Sequence, residues 1–150
     1  MNKDSNCIFC KIVAGEAPAS VIYHDDQVMA FMTLHPTRPG EFLIIPKGHI
    51  DEFCDLPDDL ACHIIKLAQR FSKSLRKHFG PKRVGLIVHG FGVPHAHLIV
   101  VPQHEESDIV SGRHVIVDGG KVRFGASHLP TPERAELDRQ AALIAGKNAN

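Results

Sequence analysis

The segment between residues 55 and 80 constrains the fold more than any other part of the sequence. It reads DLPDDLACHIIKLAQRFSKSLRKHFG and repeats apolar residues at the spacing of one helix face. Those residues are Leu60, Ile64, Leu67, Ala68, Phe71 and Leu75. Acidic residues follow Pro57 and basic residues precede Gly80, which suits the helix macrodipole at both ends. The segment therefore predicts one long amphipathic helix.

Short apolar runs of strand length lie on both sides of this helix. They are SVIYH, QVMAFM, EFLIIPK, RVGLIV and HAHLIVV, and the first two surround an acidic turn at Asp25 and Asp26. The earlier run CIFCKIVAGEAP has apolar residues at helical spacing and predicts a short helix. Together these runs predict an α+β domain in which helices pack on a five-stranded antiparallel sheet.

The pattern changes after residue 102. HVIVDGGKVRFG predicts a small hairpin turned by DGG. Thr131 and Pro132 predict the start of a final helix that ends at Gly146, and the terminal GKNAN predicts a frayed tail.

Composition and charge exclude several classes of protein. The chain has 17 basic and 17 acidic side chains, so it lacks the positive surface of a nucleic-acid-binding protein. No apolar run approaches the roughly 20 residues that span a bilayer, and the first residues lack the pattern of a signal peptide. Four cysteines in an ordinary composition fit a reducing compartment. We therefore expect a soluble, cytoplasmic protein with neither a nucleic acid nor a membrane as partner.

Two histidines occur two residues apart in GFGVPHAHLIVVP, at the start of the last predicted strand. Residues two apart on a strand face the same side, so His95 and His97 would present their imidazoles together. Such a pair can coordinate a metal, hold a phosphate, or act as nucleophile and partner, whereas the simpler interpretation is a pair of hydrogen-bonded structural residues. Gly90 and Gly92 have no Cβ, so an anionic ligand can approach their backbone N–H groups. The segment favours a phosphate-bearing ligand.

Cys7 and Cys10 form a Cys-x-x-Cys pair at the start of the chain. A redox pair would be expected after a strand in a βαβ unit, and this pair lacks that setting. A zinc site would need two further ligands, for which His49 and His95 are candidates. The residues alone leave both interpretations open.

The motifs CIFCKI, the DD turn, AF, H-P, G-FL-IPK-H and PHAH occur in this order between Cys7 and Pro102. In order and spacing they resemble the histidine-triad (HIT) family of nucleotide hydrolases and transferases. The resemblance implies a HIT-like fold, with a five-stranded antiparallel sheet, two main helices and assembly as a homodimer. Residues 1–102 would form the HIT domain core, and residues 103–150 a C-terminal extension that packs on the same domain.

The resemblance also implies a reaction. In the family, the central histidine of H-φ-H-φ-H attacks the α-phosphorus of a nucleoside phosphoramidate, a dinucleoside polyphosphate or a similar ester. His97 occupies that position and His95 would support it, so both are candidate catalytic residues. A nucleotidyl-histidine would form, and water would release the nucleoside monophosphate. We expect a P–N or P–O bond of a purine nucleotide to be cleaved, as in nucleotide phosphoramidases and dinucleoside polyphosphate hydrolases.

Ligand sites follow from the same resemblance. Bacterial members with the cysteine pair hold a structural zinc, which implies Cys7, Cys10, His49 and His95 as its ligands here, with no organic cofactor. Apolar residues would contact the base, although the same residues could instead be ordinary core residues. Polar and glycine residues would contact ribose and phosphate. The candidate nucleotide-binding residues are Ile8, Phe9, Ile12, Phe31, Thr33, His89, Gly90, Gly92 and Val93.

Four positions depart from the family pattern. Ile99 replaces the third histidine, Thr33 replaces a common aspartate, Gly92 replaces a serine found in several members, and His89 replaces a common asparagine. The first three changes remove polar contacts, so we expect reduced activity or an unusual substrate. One branch, a nucleotidyltransferase, tolerates a different third residue, so Ile99 alone does not exclude the covalent step.

Three functions are therefore compared. The leading prediction is an enzyme that acts through His97, and the second is a nucleotide-binding or dimeric interaction protein with weak or no catalysis. The third, a metal-dependent hydrolase, is disfavoured because HAHLIV lacks the aspartate of one common dinuclear pattern.

Two groups of residues beyond these motifs have simpler interpretations. Cys54 and Cys62 are interpreted as buried or incidental thiols. His104, His114 and His128 follow the matched core and are interpreted as unrelated to the site, with a lid over it as the alternative.

Overall fold

The computed structural model describes residues 3–110, 114–125 and 128–146. The helices and strands in chain order are α1 (Ile8–Ala14), β1 (Val21–His24), β2 (Val28–Met32), β3 (Phe42–Pro46), α2 (Asp58–Phe79), β4 (Arg83–Val88), β5 (Leu98–Gln103), α3 (Ser107–Val110), β6 (Val115–Asp118), β7 (Lys121–Phe124) and α4 (Arg134–Ala145). A 3₁₀ turn at Phe53–Asp55 precedes α2. Of the predicted tail GKNAN, only Gly146 belongs to the described residues.

The first five strands form one antiparallel sheet in the order β1-β2-β3-β5-β4, which confirms the predicted α+β fold class. The last predicted strand was wrong at its beginning, because β5 begins at Leu98 rather than at His95. The N–H of His95 donates to the carbonyl of Val93 at 2.7 Å, and that of Ala96 donates to the carbonyl of Ile50 at 2.6 Å. These bonds take both amides out of a regular strand ladder.

Alternate residues of the central strands divide the sheet into two faces. One face carries Ala30, Ile44 and Val100, which share a core with the apolar stripe of α2. The other face carries Phe31 and Leu43, which pack with α1. The face opposite α2 is thus only partly covered by a short helix, and the rest of it is available for a ligand.

The C-terminal segment forms the predicted hairpin β6-β7, whose turn places Gly119 and Gly120 at positive φ. Helix α4 ends at Gly146 as predicted, but it begins at Arg134, with Glu133 as its N-cap. The predicted start at Thr131 was wrong because the Thr131 hydroxyl pairs with the His35 ring at 3.1 Å instead of capping the helix.

Apolar residues of α4 belong to the same core as α2. They are Leu137, Ala141 and Ile144. The division of the chain into residues 1–102 and 103–150 stays a prediction. No helix in the described part of the chain is both long and apolar enough to cross a membrane.

Asp25 organises the turn between β1 and β2. Its carboxylate accepts hydrogen bonds from the N–H groups of Gln27 and Val28 at 2.8 and 2.9 Å and from the Tyr23 hydroxyl at 2.9 Å. It also pairs with His63 Nε2 of α2 at 2.7 Å. Burial opposes ionisation of Asp25, but the bonds from His63 and the backbone outweigh it and hold its pKa below the usual range.

We expect Asp25→Ala to lower the free energy of unfolding by about 2 kcal/mol near pH 7. Because the folded-state pKa lies below the unfolded value, the stabilisation is present above about pH 4 and is lost as the pH falls further. Urea unfolding from about pH 7 down to about pH 2 measures the difference from wild type. The exposed neighbour Asp26→Ala is the matched control. A deficit that stays constant across this range would show that the charge of Asp25 is not its source.

Candidate active site and metal centre

A cavity of about 740 Å³ lies on the face of the sheet opposite α2. Its volume is in the range of small-molecule sites, roughly 300–1,000 Å³. The sheet supplies Phe31, Leu43, Ile87 and Ile99, and α1 supplies one wall. The C-terminal segment supplies another wall through Ile109, His114, Gly125 and Arg134.

His97 lines this cavity, and a backbone carbonyl group fixes the orientation of its ring. Its Nδ1 lies 2.7 Å from the backbone carbonyl oxygen of His95. Because a carbonyl oxygen only accepts, Nδ1 must carry the hydrogen, and in the neutral ring Nε2 then holds the lone pair. The side chain is 7% exposed, and the ring of Phe9 meets it edge-on at 5.5 Å. His97 is therefore an oriented imidazole with a nucleophilic nitrogen at a ligand cavity.

His95 has the opposite tautomer and a different environment. Its Nε2 lies 2.9 Å from the carbonyl oxygen of Pro46, so Nε2 carries the hydrogen and Nδ1 holds the lone pair. Nδ1 lies 3.4 Å from Cys7 Sγ and 3.7 Å from Cys10 Sγ. The side chain is fully buried, and this burial lowers its pKa. The neutral ring is thus directed at the cysteine pair rather than at the large cavity.

A fourth residue completes this cluster. His49 Nδ1 lies 3.5 Å from Cys10 Sγ, and the ligand atoms of Cys7, Cys10, His49 and His95 all lie within 4.8 Å of one another. A tetrahedral zinc with ordinary Zn–S and Zn–N bonds separates its ligand atoms by roughly 3.3–3.8 Å. The three sulfur–nitrogen contacts of 3.4, 3.5 and 3.7 Å lie in this range. The carbonyl of Pro46 orients His95 as the outer contacts of zinc-binding histidines do. The donor set and geometry therefore fit zinc.

The predicted ligands thus come together, although they lie on three separate parts of the chain. Burial raises the pKa of the Cys10 thiol, and the N–H of Asp4 opposes that effect. Cys54 and Cys62 are exposed and lie outside the cluster.

The cavity also brings together most of the predicted nucleotide-binding residues. Those that line it are Ile8, Phe9, Ile12, Phe31, Thr33, His89, Gly92 and Val93. Gly90 does not, but it lines a smaller neighbouring pocket with His89 and His97. A Cβ built on Gly92 would meet nothing within 4 Å, so the space over this backbone is open to a ligand.

Comparison with known proteins places the chain in a family. A family model described as the HIT domain matches residues 14–106 of the 150. The chain belongs to the HIT family. A HIT-like protein of Methanocaldococcus jannaschii is 36% identical over 124 residues, which cover 79% of this chain and 87% of the relative. The adenosine 5'-monophosphoramidase of Schizosaccharomyces pombe is 33% identical over 107 residues, which cover 67% of this chain and 77% of that enzyme.

A solved structure has the same fold as this HIT protein. The zinc-bound histidine triad family protein of Mycobacterium smegmatis has a TM-score of 0.70 at 24% identity, covering 95% of this chain and 92% of that one. The likeness confirms the predicted HIT-like fold.

The departures from the HIT pattern lie in the cavity. Ile99 pairs with Leu43 on one side and with Ile87 on the other, so the third triad position is part of an apolar floor. Thr33 lies at the cavity wall. The structure thus places an apolar surface beside the proposed nucleophile.

Several cavity residues of this HIT protein, among them Glu41 and His114, were missed or left undecided by the sequence analysis. Glu41 is buried yet lines the cavity, and burial raises its pKa to about 7 although hydrogen bonds from Thr37 oppose the shift. The alternation of side chains along a strand could have identified Glu41, because it puts residue 41 on the same face as Leu43. His114 also lines the cavity, in line with the alternative interpretation of a lid over the site. His104 and His128 are not among the lining residues.

Proposed function

We propose that this HIT protein is a hydrolase or nucleotidyl transferase that cleaves a P–N or P–O bond at the α-phosphate of a purine nucleotide. The observation that carries the proposal is the hydrogen bond from His97 Nδ1 to the carbonyl of His95, which leaves Nε2 as a nucleophile in the cavity. The phosphoramidase activity named for the S. pombe relative supports the same substrate class.

The reaction would proceed in two displacements. His97 Nε2 attacks the α-phosphorus, an N–P bond forms, and the leaving group departs with the electron pair of its bond to phosphorus and takes up a proton. Water then attacks phosphorus, the N–P bond breaks, and the nucleoside monophosphate leaves while water gives up a proton. The segment from His89 to Val93 lines the cavity through His89, Gly92 and Val93, and its backbone N–H groups would stabilise charge on the phosphate oxygens.

We propose a structural role for zinc held by Cys7, Cys10, His49 and His95. Bound there, the ion would link α1 to the segments after β3 and before β5 and would take no part in bond cleavage. His95 then acts as a positioning residue, because its carbonyl fixes the ring of His97. Any direct contact of His95 with substrate stays a prediction.

A homodimer and a cytoplasmic location remain part of the proposal. β4 is an edge strand, and Leu86 and Val88 on it are 46% and 50% exposed. An apolar open edge favours pairing with a second copy. We expect neither a nucleic acid nor a membrane partner.

The second candidate function is a nucleotide-binding or interaction protein with weak or no catalysis. Ile99 favours it, because an apolar side chain at the third triad position can neither donate nor accept a hydrogen bond.

Rapid-quench intact-protein mass spectrometry tests the proposal. Wild-type protein is mixed with an adenosine phosphoramidate or with a diadenosine polyphosphate, and the adduct is mapped by peptide sequencing. We expect an adenylyl group on His97 together with release of AMP. Measurable nucleotide binding with neither adduct nor AMP would favour the binding-protein alternative.

The missing histidine gives a gain-of-function prediction. We expect Ile99→His to raise kcat for an adenosine phosphoramidate by about 10- to 100-fold, because it restores a hydrogen bond to a charged phosphate oxygen. Steady-state kinetics measure the effect, with Ile99→Leu as the apolar control. Equal rates in both variants would show that this position does not contact the reacting phosphate.

A further inference from the structure

Glu41 lies beside Thr33 at one end of the large cavity, and both residues line it. Strands β2 and β3 pair as far as Met32 and Phe42. One residue further, the N–H of Thr33 donates to the carbonyl oxygen of Glu41 at 3.4 Å. Residues directly opposite each other on antiparallel strands present their side chains on the same face, with Cβ atoms roughly 4.5–5.5 Å apart. Glu41 therefore belongs to the end of the cavity that the candidate nucleotide-binding residues Phe31 and Thr33 give to the nucleoside.

This end of the cavity is distant from the reaction centre. Leu43 on β3 lies opposite Ile99 on β5, and the strands are antiparallel. Glu41 lies two residues from Leu43 in one direction, and His97 lies two residues from Ile99 in the other. A separation of four strand residues is roughly 13 Å. A phosphate in contact with His97 is thus remote from the Glu41 carboxylate, which would repel it at close range, and the nucleoside of the same ligand can extend towards Glu41.

The Glu41 carboxyl group is fixed in position and can still accept hydrogen bonds. The residue is 7% exposed, and its Oε2 accepts a hydrogen bond from the Thr37 N–H at 2.7 Å. The Thr37 hydroxyl also bonds to the carboxyl group, and the Glu41 N–H donates to the Arg38 carbonyl at 3.2 Å. Among the residues that the structure describes, the carboxyl group has no other hydrogen bond and no ion pair. Because an ionised carboxyl group has about four acceptor sites, sites remain for a ligand.

A cation in the same cavity limits which ligand groups fit beside Glu41. Arg134 of α4 lines the cavity, and its guanidinium donates to the Ser20 hydroxyl at 3.1 Å. In the described ranges of the chain it forms no ion pair with Glu41. The guanidinium would repel a positively charged ligand group, whereas it would not repel an uncharged hydroxyl group. This end of the cavity therefore suits a neutral ligand group that donates hydrogen bonds.

Two parts of an adenine nucleoside can donate hydrogen bonds without carrying charge. The amino group of adenine lies beside ring nitrogens that only accept, such as N7, and a carboxylate would repel them. The neighbouring hydroxyl groups of ribose present two donors together, and each can turn its hydrogen towards the same carboxylate. The apolar residues of α1 and Phe31 suit the base instead. The ribose is thus the part of the nucleoside that matches Glu41.

We propose that the Glu41 carboxylate accepts hydrogen bonds from the 2′- and 3′-hydroxyl groups of the substrate ribose. The inference rests on the proposed function and names its substrate class, which is ribonucleotidyl rather than deoxyribonucleotidyl compounds. Glu41 would then determine specificity at a distance from the reacting phosphorus and would take no part in bond cleavage. A substrate without these hydroxyl groups would leave the buried carboxylate without ligand partners and would bind more weakly.

Calorimetric titration with two nucleotides that differ only in these hydroxyl groups tests the assignment without requiring catalysis. AMP and 2′,3′-dideoxy-AMP are titrated near pH 8, where Glu41 is mostly ionised because its pKa is about 7. We expect wild type to bind AMP roughly 10- to 100-fold more tightly than the dideoxy compound. Glu41→Gln should lower that ratio about ten-fold by weakening AMP binding alone. Glu16→Gln, the same change at an exposed position, should keep the wild-type ratio.

The wild-type comparison needs no variant that folds, and equal binding of the two nucleotides by wild type overturns the role of Glu41. A preference that persists in Glu41→Gln, or a loss of binding that is the same for both nucleotides, also overturns it. The proposed function then stands if wild type still forms the His97 adduct and releases AMP. A Glu41-dependent preference in a protein that forms no adduct supports the ribose contact and overturns the catalytic proposal. If wild type binds neither nucleotide, both fail.

Discussion

His97→Ala is expected to abolish the nucleotidyl adduct and to lower kcat/KM for an adenosine phosphoramidate by at least about 10⁴-fold. Alanine removes the only atom proposed to bond to phosphorus, so no slower version of the same covalent route remains. The loss should appear in kcat, because the apolar residues proposed to hold the nucleotide are untouched. Steady-state kinetics and rapid-quench mass spectrometry measure the two effects.

The control for this substitution is His24→Ala, which removes an exposed histidine on β1. Nucleotide binding by calorimetry shows whether the His97 variant keeps its site. A His97→Ala protein that binds nucleotide and still releases AMP at the wild-type rate would contradict the covalent mechanism.

Loss of the metal ligands is expected to have the largest effect on stability. We expect purified protein to contain about one zinc per chain, and Cys10→Ser to lose most of it. Because metal that binds only the folded state adds to its stability, the melting temperature should fall by roughly 10 °C or more. A chelator should lower the wild-type value in the same direction. Elemental analysis and thermal unfolding monitored by circular dichroism measure both quantities.

Cys54→Ser is the matched control, because Cys54 is exposed and lies outside the cluster. It should change neither zinc content nor melting temperature. The main core between α2, α4 and the sheet does not include the cluster, so Cys10→Ser should still unfold cooperatively. Unchanged zinc content in Cys10→Ser would contradict the assigned ligand set.

Periodic features of the sequence predicted the elements that bury most of the core. The stripe of α2 was visible at helical spacing, and it packs as one face. Errors occurred where a long-range hydrogen bond decides a boundary. Thr131 pairs with His35 instead of capping α4, and Ala96 donates to Ile50 before β5 begins. The local sequence pattern identifies neither His35 as the partner of Thr131 nor Ile50 as the partner of Ala96.

The candidate site was predictable to the same extent. His95 and His97 were recognisable as a pair, but their opposite tautomers depend on the carbonyl oxygens of Pro46 and His95. Glu41 precedes an apolar strand and has the ordinary appearance of an exposed acid. Its burial comes from the loop before β3, where Thr37 bonds to it, and from the C-terminal segment, where His114 contacts Thr37.

The His95 carbonyl that accepts a hydrogen bond from His97 Nδ1 affects how reactive the proposed nucleotidyl-histidine is. A carboxylate in that place would neutralise the positive charge of a nucleotidylated imidazole, whereas a carbonyl offers only a dipole. The N–P bond would then keep a high group-transfer potential and pass its nucleotidyl group readily to water or to another acceptor. The nucleotidylated protein would thus be a short-lived donor of its nucleotidyl group. The choice between hydrolysis and transfer would depend on which acceptor, water or another molecule, reaches the cavity first.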